Sequence, residues 1–122
     1  MSKVLVVDDS PTEVYRLKEM LEDLSFEVIT AVNGRDGVVL AGAEQPDVVL
    51  MDIVMPDMNG FHATRELCRG ADTSHIPVII VSSKDQETDK VWGQRQGASG
   101  YVTKPVDEES LAAVIKSVMV DE

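Results

Sequence analysis

Residues 47–60 read DVVLMDIVMPDMNG. Four apolar residues, Val48 to Met51, run into Asp52, and a loop containing Pro56, Asn59 and Gly60 follows. A short apolar run bounded by turn residues, without polar alternation, suits a strand buried on both faces of a parallel sheet. The first apolar run, Val4 to Val7, ends in the same way, on Asp8 and Asp9. Two buried strands that each terminate on carboxylates raise the question of what those acids meet.

Working outward, further runs at Val28–Val32, Val78–Val81 and Tyr101–Val102 predict three more strands, rich in Val and Ile. Helix signals fill the gaps. Ser10-Pro11-Thr12-Glu13 reads as a capping box, with Pro at the first helical position and Glu three residues after the cap. Val14, Leu17, Leu21 and Leu24 continue it as an apolar stripe. Val38 to Ala43 predicts a short second helix after a turn at Asn33-Gly34. Phe61, Thr64, Leu67 and Cys68 mark a third, and Ser83-Lys84-Asp85-Gln86 is a second candidate capping box. Asp107 can cap a last helix whose inner face is Leu111, Val114, Ile115 and Val118.

Five strands alternating with five helices describe an open α/β sheet with helices on both faces. With no Gly-rich dinucleotide loop, the expected strand order is 2-1-3-4-5. The first and third strands are then neighbours at the topological switch point, where ligands bind beyond the strands' carboxyl ends. Asp8, Asp9 and Asp52 converge there. Their mutual repulsion calls for protonation or a cation. Hard oxygen donors with room for water and phosphate suit Mg²⁺. Ser82 after the fourth strand and Lys104 after the fifth bring a hydroxyl and an ammonium to the same mouth. The set suits phosphoryl transfer, with metal and Lys offsetting charge on the moving group while a carboxylate attacks it.

Composition narrows the classes. The chain has 122 residues, 43% hydrophobic and 27% charged, which fits one domain and one core. A formal charge of −11 without a basic cluster argues against direct nucleic-acid binding. No apolar run reaches the ~20 residues of a membrane span, and the N-terminus lacks a secretory signal. The single cysteine, Cys68, allows no internal disulfide. The expectation is a cytoplasmic protein.

The segments VLVVDDS, PDVVLMDIVMPDMNG, IPVIIVSS and GASGYVTKP together resemble the response-regulator receiver domains, the family of the single-domain chemotaxis regulator. The resemblance spans essentially the whole chain. DDSPTE and SSKDQETDKVWGQRQGA further resemble receivers of the twitching-motility (type IV pilus) chemosensory system. The resemblance implies a flavodoxin-like receiver domain over residues 1–122; with nothing after the last helix, no output domain is expected. The resemblance also implies that Asp52 accepts a phosphoryl group from a histidine kinase, and that the protein is a switch, not an enzyme acting on other substrates. Asp9 is expected to bind Mg²⁺ directly, Asp8 mainly through water, and the Val54 backbone carbonyl to be a further ligand. Lys104 is expected to pair with the phosphoryl oxygens and Ser82 to hydrogen-bond them after transfer. Tyr101 matches the family's aromatic switch, and the Lys104–Pro105 bond is expected to be cis. The signal would leave by contact between a monomer and a downstream target, or the chain would drain phosphoryl groups from a sister regulator.

Ser82 and Ser83 stand where many relatives carry Thr and Ala, and Val54 offers no polar side chain to orient water. Outside the pocket the residues read more plainly. Ser10 is a cap and Asn59-Gly60 a turn and helix start. Met51 belongs to the core, with Met55 and Met58 packing the loop. Cys68 is expected to be buried, and His62 and His75 to lie on the surface. The Gln86–Gln96 helix has only Val91 and Trp92 as large apolar residues, so weak packing and a partner-binding role are expected of it. Two competing readings fit less well. An Asp-nucleophile Mg²⁺ phosphatase typically carries Asp-x-Asp on its first strand and a cap domain. A flavin or nucleotide binder needs a Gly-rich phosphate loop.

Overall fold

The computed structural model describes residues 2–119, so Met1 and residues 120–122 of the expected domain lie outside the described part. The elements in chain order are β1 (Lys3–Val7), α1 (Pro11–Asp23), β2 (Glu27–Ala31), α2 (Gly34–Glu44), β3 (Val48–Met51), α3 (Gly60–Arg69), β4 (Val78–Ser82), α4 (Glu87–Arg95), β5 (Gly100–Thr103) and α5 (Glu108–Val118). All strand pairings are parallel and the sheet order is β2-β1-β3-β4-β5, as expected from the pattern.

The apolar runs explain the layering. Along a strand, successive side chains point to opposite faces. Leu5, Val7, Val49, Met51 and Val78 therefore share one face, where they meet Ala41 of α2 and Ala63 and Leu67 of α3. Val4, Val6, Val48, Leu50, Ile79 and Val81 share the other, against Leu17 and Leu21 of α1 and Leu111 and Ile115 of α5. Val4–Val7 of β1, all of β3 and Val78–Val81 of β4 are thus apolar without a break because both faces are covered. Met55 and Met58 join Met51 in the first of these cores, so the loop methionines are themselves buried.

Local signals set most helix starts. Ser10 accepts from the Glu13 amide at 3.4 Å, while the Glu13 carboxylate lies 3.6 Å from Arg16. Asp107 caps α5 through the Ser110 amide at 2.7 Å. Three expectations shift. The second strand starts at Glu27 and ends at Ala31, leaving Val32 exposed beyond it. α2 begins at Gly34, four residues before the apolar run suggested, because Asn33 caps it by accepting from the Asp36 amide at 2.8 Å. The capping box of α4 is Gln86 with Asp89, not Ser83 with Gln86. The residues before it are held differently, with the Lys84 amide bonded to the Ser82 hydroxyl.

Candidate phosphoacceptor and metal site

Strand pairing brings the acids together. β1 lies beside β3 with Val7 opposite Met51, so the residues that follow each strand emerge side by side. The Asp52 amide continues the ladder, donating to the Val7 carbonyl at 2.9 Å. Carboxylate oxygens of Asp8, Asp9 and Asp52 lie within 4.8 Å of one another. Asp8 is 2% and Asp52 8% exposed, whereas Asp9 faces solvent. Two buried acids and one open acid make a half-sunken mouth, closed beneath by core and open above.

Lys104 comes to the same mouth from the end of β5, where its amide donates to the Ser82 carbonyl at 2.8 Å. Its ammonium lies 3.0 Å from Asp8 Oδ2 and 3.4 Å from Asp52 Oδ1. The other Asp8 oxygen accepts from the Ser10 amide at 2.9 Å, so Asp8 is held at both ends. The Lys104–Pro105 bond is cis.

The electrostatics follow from burial. Asp52 is pushed up from 3.8 to about 6, first by desolvation and next by the Asp8 charge; Lys104 and the Ile53 amide oppose this only in part. Burial pulls the Lys104 ammonium down, but the Asp8 hydrogen bond and the charges of Asp52, Asp8 and Glu13 outweigh it, so the net change is upward. The pocket holds more negative charge than one ammonium can offset. Three hard carboxylates around a partly open mouth have the chemistry of an Mg²⁺ site, so the residues present fit that ion.

Ser82 is buried, and its Oγ accepts from the Lys84 amide at 3.1 Å. The Tyr101 hydroxyl donates to the Lys84 carbonyl. The Lys84 backbone therefore links the Ser82 hydroxyl to the aromatic ring on β5, a role that its side chain gives no hint of. Tyr101 is half-buried and its hydroxyl is pushed up, by burial first and then by Asp89. The Val54 side chain points to solvent with 61% exposure. A further pair was not singled out as part of the pocket. Arg16 donates to the Val106 carbonyl at 3.3 Å and lies 3.6 Å from Glu13, tying α1 to the loop that carries Lys104.

Residues expected on the surface or in the core fall mainly where they were placed. His62 and His75 are exposed, and His62 lies 3.1 Å from Glu66. Cys68 is half-buried, not fully buried; its thiol donates to the Gly97 carbonyl at 3.4 Å, and burial pushes its pKa up. Among the described residues, no helix is long and apolar enough to cross a membrane.

The model of the response regulator receiver domain family matches residues 4–116. The chain is 64% identical over 119 residues to protein PilH of Pseudomonas aeruginosa strain PAO1, covering 98% of each. It is 37% identical over 117 residues to the response regulator PleD of Caulobacter vibrioides, of which it spans 26%. Chemotaxis protein CheY4 of Vibrio cholerae superposes with a TM-score of 0.91 at 30% identity, over 97% of this chain and 98% of that one. A chain of the CheX–CheY–BeF3–Mg²⁺ complex from Borrelia burgdorferi gives a TM-score of 0.92 at 28% identity, over 98% and 90%. A family model that spans nearly all of these elements, on a sheet whose switch point gathers the acids, settles kinship: the chain belongs to the response regulator receiver domain family.

Proposed function

We propose that Asp52 is the phosphoacceptor of a phosphorylation switch, taking a phosphoryl group from the phosphohistidine of a histidine kinase. The observation that carries this reading is the convergence of Asp8, Asp9 and Asp52 with Lys104 at one strand-end mouth. Asp9, Asp8, Asp52 and the Val54 carbonyl would hold Mg²⁺, which when bound supplies positive charge against the phosphoryl oxygens. Asp52 Oδ attacks phosphorus, the P–N bond to the kinase histidine breaks, and an acyl phosphate forms. Lys104 moves from the carboxylates to the new phosphoryl oxygens. Ser82 turns its hydroxyl from the Lys84 amide to the phosphoryl group, and this releases the Lys84 peptide that Tyr101 holds.

The output then leaves through α4 and β5. α4 buries only Gly93 among its described residues, and Val91 and Trp92 are 40% and 49% exposed. An element so lightly anchored is the one that a local charge change can shift. Twitching-motility character in DDSPTE and SSKDQETDKVWGQRQGA, with 64% identity to PilH, supports a type IV pilus chemosensory pathway. A kinase donor charged from ATP suits a cytoplasmic setting, with the protein acting as a monomer on its target. Draining phosphoryl groups from a sister regulator is the second reading, since the same site serves both.

Incubation with Mg²⁺ and acetyl phosphate tests the acceptor. Stoichiometric, base-labile labelling is expected, and it is lost in Asp52→Asn. Undiminished labelling of that variant moves the acceptor elsewhere, and sustained turnover of phosphomonoesters would favour a phosphatase. Emission from Trp92 is expected to change with Mg²⁺ and beryllofluoride; a constant signal counts against α4 as the output element.

A further inference from the structure

Two helices begin with the same pair, Asn33-Gly34 for α2 and Asn59-Gly60 for α3. In each, Asn is the cap, accepting from the amide three residues on at 2.8 and 2.9 Å. The glycines are less easily explained. Gly at the first helical position costs backbone entropy. Neither residue has a positive φ; among the described glycines only Gly97 does, at 109°. Conformational freedom is therefore not the reason for them.

Close approach is. A methyl group on Gly60 would fall inside the Asp52 carbonyl oxygen, 2.7 Å from its carbonyl carbon and 2.8 Å from Ile53 Cα. These are backbone atoms, which no rotamer change can clear. The Gly60 amide meanwhile donates to the Ile53 carbonyl at 2.8 Å. A methyl on Gly34 would lie 2.9 Å from the Met58 carbonyl oxygen and 3.3 Å from its Cβ and Cγ. The two glycines thus press on the two ends of one loop, residues 52–58. This is the loop that carries Asp52 and the Val54 carbonyl and turns through Asp57 at φ 70°.

We propose that Gly34 and Gly60 are positioning residues, a two-sided brace that holds Asp52 and the Val54 carbonyl in register with Asp8 and Asp9. The inference rests on the Mg²⁺ reading of the pocket. The caps stabilise the helices; the glycines set the loop. The brace also joins the start of α2 to the metal-bearing loop, although α2 contributes no side chain to the pocket.

Amide NMR titration of the full chain with Mg²⁺, paired with thermal melting, separates position from stability. Gly60→Ala is expected to raise the Mg²⁺ Kd at least roughly tenfold, as loss of outer support does at metal sites, and Gly34→Ala about threefold. Asn33→Ala and Asn59→Ala remove the caps; their melting midpoints should fall while Kd stays within about twofold of the parent, because no ligand is moved. Should Gly60→Ala fail to fold, Gly34→Ala against Asn33→Ala decides on the same criterion. A Gly60→Ala chain that folds and binds Mg²⁺ like the parent would overturn the brace. So would Asn variants that lose as much affinity as the Gly variants, since stability alone would then account for it. Failure of the parent itself to bind Mg²⁺ is a different result, which removes the metal reading and the brace with it.

Discussion

The β3–α3 half of the molecule and the α4–β5 half are built from the same kind of unit, a parallel strand and a helix, yet they are held very differently. Every residue of β3 is buried, and α3 buries Gly60, Ala63, Thr64 and Leu67. Every residue of β5 is only half-buried, at the edge of the sheet, and α4 buries Gly93 alone. The first half carries the carboxylate, where an error of about an ångström in placement can cost on the order of a hundredfold in rate. The second carries Tyr101, exposed Trp92 and the Lys84 backbone, where on the proposed switch a small bias has to become a visible change of surface. Rigid packing suits the chemistry, and marginal packing suits its readout.

The contrast can be broken or sharpened by substitution. The largest stability effect should come from the core of the rigid half. Leu67→Ala empties a fully buried site and is expected to cost about 2–5 kcal/mol, while Val91→Ala on α4, 40% exposed, should stay near ~0.5 kcal/mol. Urea unfolding of both reads the difference directly, and equal losses would erase the distinction drawn here.

Next in size is the cost of the site itself. Asp52 has a pKa of about 6 in the folded chain against an ordinary 3.8. Between those values the folded chain binds more protons than the unfolded one, so ionising Asp52 destabilises the fold as pH rises. The penalty is absent below the ordinary value of 3.8 and complete above about 6. Asp52→Asn should therefore be more stable than the parent by ~1–3 kcal/mol at pH 8 without metal, with the gap closing towards pH 4. Mg²⁺ should narrow the same gap by neutralising the cluster. A variant less stable than the parent at pH 8 would contradict the pKa assignment and the idea that the rigid half stores an electrostatic cost.

The smallest effect belongs to the loose half. Tyr101→Phe removes the hydroxyl that donates to the Lys84 carbonyl and should cost ~0.5–1.5 kcal/mol. Its sharper consequence is a weaker response of Trp92 emission to beryllofluoride, with labelling of Asp52 preserved. A full Trp92 response in that variant would detach Tyr101 from the readout.

Much of this was legible in the chain alone. Unbroken apolar runs marked β1, β3 and β4, because a strand covered on both faces favours apolar residues along its length. Ser10 and Asp107 announced their helices, because a cap is a contact between residues three apart. Asp8, Asp9 and Asp52 could be placed at one mouth once the alternation of elements set the strand order. Where the sequence misled, the competing contact was local but polar. α2 hides its start behind glycines, and the Ser82–Lys84 turn closes on itself, so that α4 begins later than Ser83 suggested.

Other features could not be read from the string of residues. Lys104 was expected at the acidic mouth, but not that its ammonium would sit 3.0 Å from Asp8, 96 residues away along the chain. Asn59-Gly60 looks like any turn until its α-carbon is seen against the Asp52 carbonyl. Nothing in the sequence says that the Val54 side chain lies in solvent, 61% exposed. Periodicity and capping report which element forms, since they depend on neighbours a turn or less away. Distances between the ends of different elements depend on strand register and on how closely each helix settles onto the sheet, and only the packed molecule determines those.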